Sequence, residues 1–478
     1  MLKEELIDLV KVVLNTKSED NHIELKGAHM GFPKIYDTLS SFSNQIGGGI
    51  ILFGISEEDY SIVGVYDASD LQKKIDEQCL QMEPEVRAVC TVVDIDGKIV
   101  VSAEIGEIGF ELRPCFYKGA GRIKGSYTRV GDADRKMTEY EVYSYIAFKK
   151  KIHDELRTCE RAETGDIRTK FLDDYFTKLS LAKPNLAMLD KDKVLKLQGF
   201  LEGNVPTVAG ILLFSEYPQA YFPRLCITAV VVPGTKMADT SDKGERFIDN
   251  QNIDGTIPQM IDAAIKFVRR NMSVNTIIDP QTARRTDEME YPITAIREII
   301  LNALIHRDYS VYSDTSPITI VMYQDRIEVE NAGGLYGRLT IDTLGEMIAD
   351  TRNPYIAGAL EILGDTENRF SGIPTIKREM LMAGLPSPVF ESKQGIFKVT
   401  LFNKKFNNRS SNVSDKNENE IVEFCSIPRS RDELAAKFNH ITKAYLMTNF
   451  VNELVEKGEL KLTIPDKPKS RYQKYVKN

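Results

Sequence analysis

The segment FNNRSSNVSDKNENE, near residues 405–418, is the feature that most limits how this chain can fold. It is polar and almost devoid of apolar side chains, so it cannot contribute to a hydrophobic core. At 478 residues the chain is also too long for a single core. We therefore expect several domains, with residues 405–418 as a linker before a C-terminal domain at 419–478.

Two further regions precede the linker. Residues 1–150 alternate strand-like runs with glycine turns, in GGGIILFGI, YSIVGVY, AVCTVVDIDGKIVVSAEI and GSYTRVG, and this predicts a compact α+β domain. The charged stretch KKKIHDELRTCERAE is predicted to be a helical connector. It opens a region at 151–404, in which VAGILLF and LCITAVVVPG are predicted strands and PITIVMYQDRIEVENAGG a hairpin turning at residues 323–326.

After the linker, SRDELAAKFNHITKAYLMTNFVNELVEKGELKLTIP predicts two helices and a hairpin-like end, with Ser430 and Glu433 forming a capping box. This order is typical of a winged helix-turn-helix, which binds DNA but also serves as a protein interaction module. The chain end is basic, with six Lys or Arg residues against one Asp from 461 to 477. The residues expected to enter a major groove or touch phosphates are Thr442, Lys443, Tyr445, Asn449 and Lys461.

Composition restricts the protein class. The net charge of -8 excludes a uniformly basic nucleic-acid binder, although charge can be local. The N-terminus, MLKEELIDLVKVVL, fits an amphipathic helix and not a signal peptide, and no apolar run approaches the roughly 20 residues needed to cross a bilayer. We expect a cytoplasmic protein with no membrane association. The six cysteines are scattered without C-x-x-C or Cys/His spacing, so neither zinc nor a disulfide framework is expected.

The stretch REIILNALIHRDYS, at 297–310, predicts a helix that carries Glu298, Asn302 and Ile305 on one face. A carboxylate and an amide one turn apart can hold a hydrated Mg²⁺, and the carboxylate can orient a water towards a phosphate. The alternative is an amphipathic helix whose polar edge is simply solvated, and the evidence of this helix by itself favours that alternative.

Two downstream turns weigh against that alternative. NAGG, at 331–334, lets backbone approach a ligand, and Ser371-Gly372 precede a predicted helix whose N–H groups can receive phosphate oxygens.

Taken together, REIILNALIHRDY, NAGG, TRNP (351–354) and SGIP (371–374) resemble the GHKL, or Bergerat-type, ATP-binding fold over roughly residues 285–400. The resemblance implies that ATP and Mg are cofactors, that Glu298 is the candidate general base and that Asn302 helps to hold Mg²⁺. Asn331 occupies the position where the wider family has an adenine-contacting aspartate, and the glycine pattern at 371–374 is short, so we expect nucleotide binding ahead of hydrolysis. His306 and Arg307 are expected to anchor the helix end or touch phosphate. The remaining implied nucleotide contacts are Gly333, Gly334, Ser371 and Gly372.

Three carboxylates lie in or near predicted strands of the N-terminal region. Glu19, Glu24 and Glu57 converge if the strand holding Glu24 lies beside the strand that ends before Glu57. Such a group can hold divalent ions for phosphodiester hydrolysis. The alternative is that these side chains are simply solvated at strand ends.

The same region resembles the Schlafen-type AlbA-like domain over about residues 15–145. The resemblance rests on E-L-K at 24–26, S-N-x-x-G-G at 43–48, the strand ILFGI and Y-x-R-x-G at 127–131. Some animal Schlafen proteins use three carboxylates as a nuclease site, with an aspartate where this chain has Glu57. Many bacterial members are described as nucleic-acid-binding regulators, so we rank binding above cleavage. Phosphate contacts are expected from four cations, each of which is alternatively a solvated surface residue: Lys26, Arg122, Lys124 and Arg129.

We therefore predict an α+β multidomain protein with an AlbA-like domain, a central GHKL-like α/β sandwich and a C-terminal winged helix. The leading function is a DNA-binding transcriptional regulator with an ATP-binding module, and RNA is a further candidate partner. The resemblance also implies a homodimer. Two alternatives remain open: a metal-dependent nuclease, possibly controlled by ATP and used in defence, and a scaffold with a degenerate nucleotide site. ATP hydrolysis is left open as well.

Overall fold

The computed structural model divides into two compact units, Met1–Ile152 and His153–Asn478. Within the parts that the structure describes, no helix is both long enough and apolar enough to cross a membrane. The described residues are 1–17, 19, 21–278, 285–347, 350–364, 372–393, 395–406, 418, 420–438, 443–465 and 473–478.

The first unit is built on a four-stranded sheet. Ile23–Lys26 runs parallel to Gly49–Phe53, and this pairing sets Glu24 opposite Ile51. Gly49–Phe53 is buried along its whole length, as its uniformly apolar sequence requires. Two antiparallel strands, Lys98–Ile105 and Ala88–Ile95, complete the sheet, and both lie within the strand-like run AVCTVVDIDGKIVVSAEI.

Helices pack over this sheet and bury its apolar side chains in two clusters. Asp67 caps one of these helices, because its carboxylate accepts the N–H groups of Ser69 and Asp70. The helices are Lys3–Thr16, Tyr36–Asn44, Ala68–Cys79, Gly121–Gly125 and Glu139–Lys150. The short strand pairs are Met82–Glu83 with Phe116–Tyr117 and Tyr127–Val130 with Ala133–Lys136.

Two local predictions for this region are wrong. YSIVGVY is not a strand: it makes one isolated bridge, between Ile62 and Ile55, and Tyr60 and Gly64 have positive φ angles that break an extended backbone. The connector KKKIHDELRTCERAE is not a continuous helix either. The helix ends at Lys150, because Lys151 adopts the left-handed conformation, and only a short 3-10 turn follows, at Asp154–Leu156.

The second unit contains a six-stranded sheet. The predicted hairpin is confirmed, with its turn at residues 323–325, and one parallel pair, Ile227–Val231 with Ile318–Met322, extends the sheet beyond it. All other neighbours in this sheet are antiparallel. The spatial order is Asp249–Ile253, Ile227–Val231, Ile318–Met322, Arg326–Ala332, Ile396–Phe402 and Val389–Lys393.

One hydrophobic core, with members from Cys159 to Leu401, joins this sheet to its helices. VAGILLF, predicted as a strand, is the helix Val208–Phe214, and the Thr207 hydroxyl caps it by accepting the N–H of Gly210. All its residues are buried, so its sequence has no periodicity that separates a strand from a buried helix. The helices of this unit before residue 405 are Lys170–Ala182, Pro184–Ala187, Lys191–Leu197, Val208–Phe214, Ile257–Asn271, Ile293–His306, Pro354–Leu363 and Gly372–Met382. Short strand pairs are Leu201–Glu202 with Val205–Pro206 and Val274–Ile278 with Arg285–Met289.

The C-terminal part of this unit packs in a second, smaller core, which includes Leu434, Phe450 and Tyr475 together with Val389 and Phe402 of the six-stranded sheet. The predicted capping box is confirmed: Ser430 accepts the N–H of Glu433, and the Glu433 carboxylate accepts the N–H of Ser430. The helices here are Arg431–Lys437, Lys443–Leu446 and Asn452–Glu456, with a π-helical turn at Met447–Val451. The three-stranded sheet has the order Arg429–Ser430, Lys474–Lys477, Leu460–Leu462.

Candidate functional site

A cleft lies in the second unit, between the six-stranded sheet and the helices Ile293–His306 and Gly372–Met382. We call Ile293–His306 the cleft helix. It is mostly apolar and buried, which fixes it against the sheet, and its polar residues Asn302 and His306 line the cleft. The lining includes Ile299, Asn302, Ala303, His306, Val329, Asn331, Gly333, Gly334, Leu335, Tyr336, Gly372, Ile373, Pro374, Phe397 and Val399.

One end of the cleft brings together three residues that the sequence singles out. A methyl group added to Gly372 would lie 3.0 Å from Asn302 Nδ2 and 3.1 Å from Glu298 Oε2. Asn302 Nδ2 is buried and has no hydrogen-bond partner among the described residues. An unsatisfied buried donor is costly, so this amide is suited to a ligand that supplies an acceptor. Ser371, the neighbouring predicted contact, lies outside the described residues.

The other end of the cleft is formed by Asn331 and the turn Gly333-Gly334. Asn331 is buried, and its Nδ2 donates to the carbonyl of Ala332 at 3.2 Å. Gly333 has a φ of +98°, and a Cβ there would lie 2.9 Å from the Cβ of Asp308. Only glycine therefore fits at 333, where the chain leaves the sheet and passes the cleft.

Two residues of the TRNP segment hold this end of the cleft together, a role that the sequence analysis did not assign. Asn353 is fully buried, and its Nδ2 donates to the carbonyls of Ile305 and Arg307, at 2.7 Å each. These are terminal carbonyls of the cleft helix, which need partners from outside the helix. Arg352 contacts Asp308 at 3.2 Å and donates to the carbonyl of Gly334 at 3.2 Å. The sequence signal was a pair of polar residues directly before the proline that opens the next helix.

His306 and Arg307 differ in their surroundings. His306 lines the cleft, and burial, together with the charge of Arg352, lowers its pKa to about 4, so the ring is neutral at neutral pH. Arg307 is 1% exposed and donates from Nη2 to the carbonyl of Ser313 at 2.9 Å. Arg307 therefore stabilises the backbone after the cleft helix, which is the structural alternative among its two predicted roles.

In the first unit, the three predicted carboxylates lie around two cations. Glu24 contacts Arg129 at 2.7 Å through Oε2 and Lys26 at 2.8 Å through Oε1. Lys26 also contacts Glu57 at 3.3 Å, and Arg129 contacts Glu19 at 3.9 Å. The convergence that the sequence predicts is thus present, but the two cations lie among the carboxylates.

The role of Arg129 as a phosphate contact stays a prediction, and its surroundings favour a structural role. Its side chain is 1% exposed and also pairs with Asp134 at 3.0 Å, so its guanidinium is buried inside the network. Lys26 is 18% exposed and is shared between two carboxylates. Among the described residues, no group of three or more His, Cys, Asp or Glu side chains is arranged to hold a metal ion. Burial, reinforced by the charge of Glu24, raises the pKa of Glu19 to about 7.

The other predicted nucleic-acid contacts lie apart from this network. Arg122 and Lys124 are exposed on the short helix Gly121–Gly125. Lys443 and Lys461 are exposed in the C-terminal part, and Lys443 pairs there with Asp432. Tyr445 and Asn449 lie in the helical stretch that follows Lys443, and Thr442 lies outside the described residues.

Comparison with known families gives two matches. Residues 19–138 match the family model described as "Schlafen, AlbA_2". The chain therefore has a Schlafen-like N-terminal domain. Downstream of it, residues 315–401 match the model HATPase_c_4, described as "Putative ATP-dependent DNA helicase recG C-terminal". This ATPase-like match covers the sheet strands of the cleft and the helix at Gly372, whereas the cleft helix precedes it.

Solved structures similar to this chain include the DIP2311 protein from Corynebacterium diphtheriae. It is 18% identical, with 96% of this chain and 93% of that chain covered and a TM-score of 0.41. The N-terminal domain of a protein titled "Putative ATP-dependent DNA Helicase RecG-related Protein", from Nitrosomonas europaea, is 24% identical. That alignment covers 27% of this chain and 92% of that chain, with a TM-score of 0.22. No curated protein matches the chain.

Proposed function

We propose that this protein is a DNA-binding transcriptional regulator with an ATP-binding module, and that the cleft is a Bergerat-type nucleotide site. The observation that carries the proposal is the proximity of Gly372 to both Glu298 and Asn302, which a Cβ at position 372 would crowd. It joins a carboxylate, an amide and a helix N-terminus at one end of a cleft whose other end carries Asn331. The ATPase-like match to residues 315–401 supports nucleotide binding.

The residues present fit ATP and Mg²⁺. Asn302 Nδ2 is a buried donor without a partner among the described residues, and Gly372 begins an 11-residue helix whose first N–H groups favour an anion. Mg²⁺ is usually held by one or two protein groups together with phosphates, so the lack of a described metal cluster agrees with this assignment. When bound, Mg-ATP supplies a cleavable phosphoanhydride. Glu298 is proposed to orient water and Asn302 to bind the metal.

Asn331 is proposed to contact adenine in place of the aspartate of the wider GHKL family. Its Nδ2 donates to the carbonyl of Ala332, and this bond orients Oδ1 as the remaining acceptor. An oxygen at this position can accept a hydrogen bond from the exocyclic amine of adenine, as a carboxylate does. The substitution of amide for acid therefore keeps the recognition chemistry and removes one negative charge.

DNA contact is proposed for the Schlafen-like N-terminal domain and for a C-terminal winged helix. Three helices and the sheet that includes Leu460–Leu462 follow the order of that motif, and Lys461 is exposed on a strand of this sheet. Lysines on a wing contact phosphates and position a neighbouring helix in the groove. A homodimer is part of the proposal, since a symmetric protein fits a paired DNA site.

A second candidate, a metal-dependent nuclease, is favoured by one observation. The pKa of Glu19 is raised to about 7 beside Glu24, and strongly shifted carboxyl groups are enriched at catalytic sites. The ion pairs of Lys26 and Arg129 oppose it, because they occupy the oxygens that a metal would need. Cleavage of labelled DNA or RNA in Mn²⁺ by the wild-type chain, but not by Glu24→Gln, would establish the nuclease.

The experiment that tests the leading proposal is calorimetric titration with ATP in Mg²⁺. Asn302→Ala is expected to weaken ATP affinity about tenfold, the loss of roughly one charge-assisted hydrogen bond. Asn204→Ala, at an exposed position outside the cleft, is the matched control and keeps wild-type affinity. Equal affinity of the Asn302→Ala variant and wild type would overturn the assignment of the cleft. Gel shifts with duplex DNA, single-stranded DNA and RNA then test the partner.

A further inference from the structure

The Schlafen-like unit contains a second pocket that none of the roles above uses. It is a cavity of about 300 Å³, a volume at the lower end of the range for small-molecule sites. Four segments that are distant in sequence meet there: the strand Met82–Glu83, the loop after Phe110–Leu112, the short helix Gly121–Gly125 and the end of the helix Glu139–Lys150.

The pocket is strongly cationic. Four basic residues line it, Arg113, Arg122, Lys149 and Lys150, against a single carboxylate, that of Glu83. Among the residues that the structure describes, Arg122, Lys149 and Lys150 form no ion pair with a carboxylate, and all three are exposed. Uncompensated cations around a concave surface concentrate anions there.

Two of the cations are held in fixed positions. Arg113 is 8% exposed, donates from Nε to the carbonyl of Ile108 at 3.2 Å and contacts Glu107 at 3.3 Å. The Arg122 guanidinium lies over the ring of Phe116, 5.2 Å from its centroid. A guanidinium over a ring face still has N–H groups that can donate to a phosphate.

The rest of the wall is apolar and suited to a flat group. Pro84, Leu112, Pro114, Phe116 and Ile146 form it, and Leu112 keeps 48% of its surface exposed. A ligand with only negative charge would not cover the apolar wall, whereas a purely apolar ligand would form no ion pair with the cations. A nucleotide has both parts, since its base stacks on apolar and ring surfaces and its phosphates pair with Arg and Lys.

We propose that this pocket accepts one unpaired nucleotide of a single-stranded nucleic acid, with the base against Leu112 and the flanking phosphates on Arg122, Lys149 and Lys150. The inference rests on the proposed nucleic-acid binding and adds where in the unit, and in which form, the strand is held. A paired base cannot enter, because base pairing and stacking hold it within the duplex. The protein should therefore prefer single strands, or duplexes with unpaired ends, at this site.

The test uses the absence of tryptophan from the chain. Leu112→Trp introduces one fluorophore at an exposed position of the pocket wall, and stacking of a base on the new indole quenches its emission. Val89→Trp, at a position that is 60% exposed and outside the pocket, is the matched control. Each full-length variant is titrated with a single-stranded oligonucleotide, an abasic strand of equal length, a blunt duplex and a nucleoside monophosphate.

Saturable quenching by the base-containing strand with Leu112→Trp, and none with Val89→Trp, is expected. The abasic strand and the duplex should not quench. Adding Lys149→Gln and Lys150→Gln should weaken the single-strand affinity about tenfold at 0.1 M salt and lower the slope of log affinity against log salt by about 1.4. The charge-matched pair Lys3→Gln and Lys73→Gln, outside the pocket, should change neither value.

The outcomes separate this inference from the proposed function. Gel shifts by the wild-type chain without quenching of Leu112→Trp would overturn the pocket and leave nucleic-acid binding intact. Equal quenching by the abasic strand, or by the free monophosphate at the same concentration, would also overturn it. Failure of the wild-type chain to shift any nucleic acid would overturn the proposed partner and this inference together.

Discussion

Gly372 packs so closely against Asn302 that a single methyl group would enter the contact, at 3.0 Å from the amide nitrogen. The two residues are 70 positions apart, and they meet where the cleft helix and the helix Gly372–Met382 converge. A backbone that approaches a buried amide this closely leaves little room for a side chain at position 372.

We therefore expect Gly372→Ala to weaken ATP binding about tenfold, or roughly 1.4 kcal/mol, with little loss of fold stability. The added methyl would press on both Asn302 Nδ2 and Glu298 Oε2. Calorimetric titration with Mg-ATP measures the effect. Gly358→Ala is the control, because nothing lies within 4 Å of a Cβ at that helical position. It should leave ATP affinity unchanged and raise the free energy of unfolding by up to about 1 kcal/mol.

Asn353→Ala should destabilise the second unit by about 2 kcal/mol, because two buried carbonyls at the end of the cleft helix lose their donor. Urea unfolding followed by circular dichroism measures the midpoint. Asn250→Ala, at an exposed strand position, should leave the urea midpoint nearly unchanged. A midpoint equal to that of wild type for Asn353→Ala would show that water satisfies these carbonyls equally well.

Arg129→Gln should destabilise the first unit by about 3–5 kcal/mol, the cost of leaving one side of a buried ion pair uncompensated. Glu24 and Asp134 both pair with this guanidinium and are themselves largely buried. Thermal unfolding measures the change, with the exposed neighbour Arg135→Gln as control. If instead Arg129→Gln kept the wild-type stability and lost DNA affinity, Arg129 would be a phosphate contact after all.

Stability of the second unit should fall as pH rises from about 6.5 to about 8. Below pH 6.5 the buried His306, whose pKa is lowered from 6.5 to about 4, opposes the effect of Glu155. Burial raises the pKa of Glu155 from 4.5 to about 8, although the N–H groups of Tyr355 and Ile356 lower it in part. In this window the folded chain holds a proton on Glu155 that the unfolded chain has lost. Raising the pH therefore lowers the free energy of unfolding. The slope is at most about 1.4 kcal/mol per pH unit.

Glu155→Gln should remove that slope, because an amide does not titrate and still offers one oxygen to accept one of the two helix N–H groups. Urea midpoints between about pH 6.5 and pH 8 measure the difference. Glu202→Gln, at an exposed position, should retain the wild-type slope. A Glu155→Gln variant with the same slope as wild type would place the titration in another group.

Local periodicity explains which parts of the fold could be predicted. The cleft helix and the hairpin that turns at residues 323–325 follow from their apolar spacing and from a polar turn. VAGILLF gave the wrong element because seven consecutive apolar residues have no period. Burial decides its conformation, and burial depends on residues elsewhere in the chain.

The sequence could predict individual residues of the candidate sites, but not the partners that these residues contact from distant parts of the chain. Adjacent strands bring Glu24 and Glu57 to the same network, which the sequence order suggests. The cation that joins Glu24 to Asp134 comes from Arg129, 105 residues further along, and no spacing rule connects them. Asn353 likewise reaches carbonyls 46 and 48 residues away. Contacts of this kind depend on packing between elements, which a single sequence does not encode locally.

The parallel pairing of Ile227–Val231 with Ile318–Met322 has a practical consequence. A fragment begun at residue 285, where the GHKL resemblance starts, would lack the outer two strands of the sheet. Its new margin would be Ile318–Met322, a run of five residues of which four are buried in the whole chain. An exposed apolar edge strand of this kind pairs with other chains and promotes aggregation. Fragments meant for crystallisation or binding work should therefore begin near residue 153, where the compact unit begins.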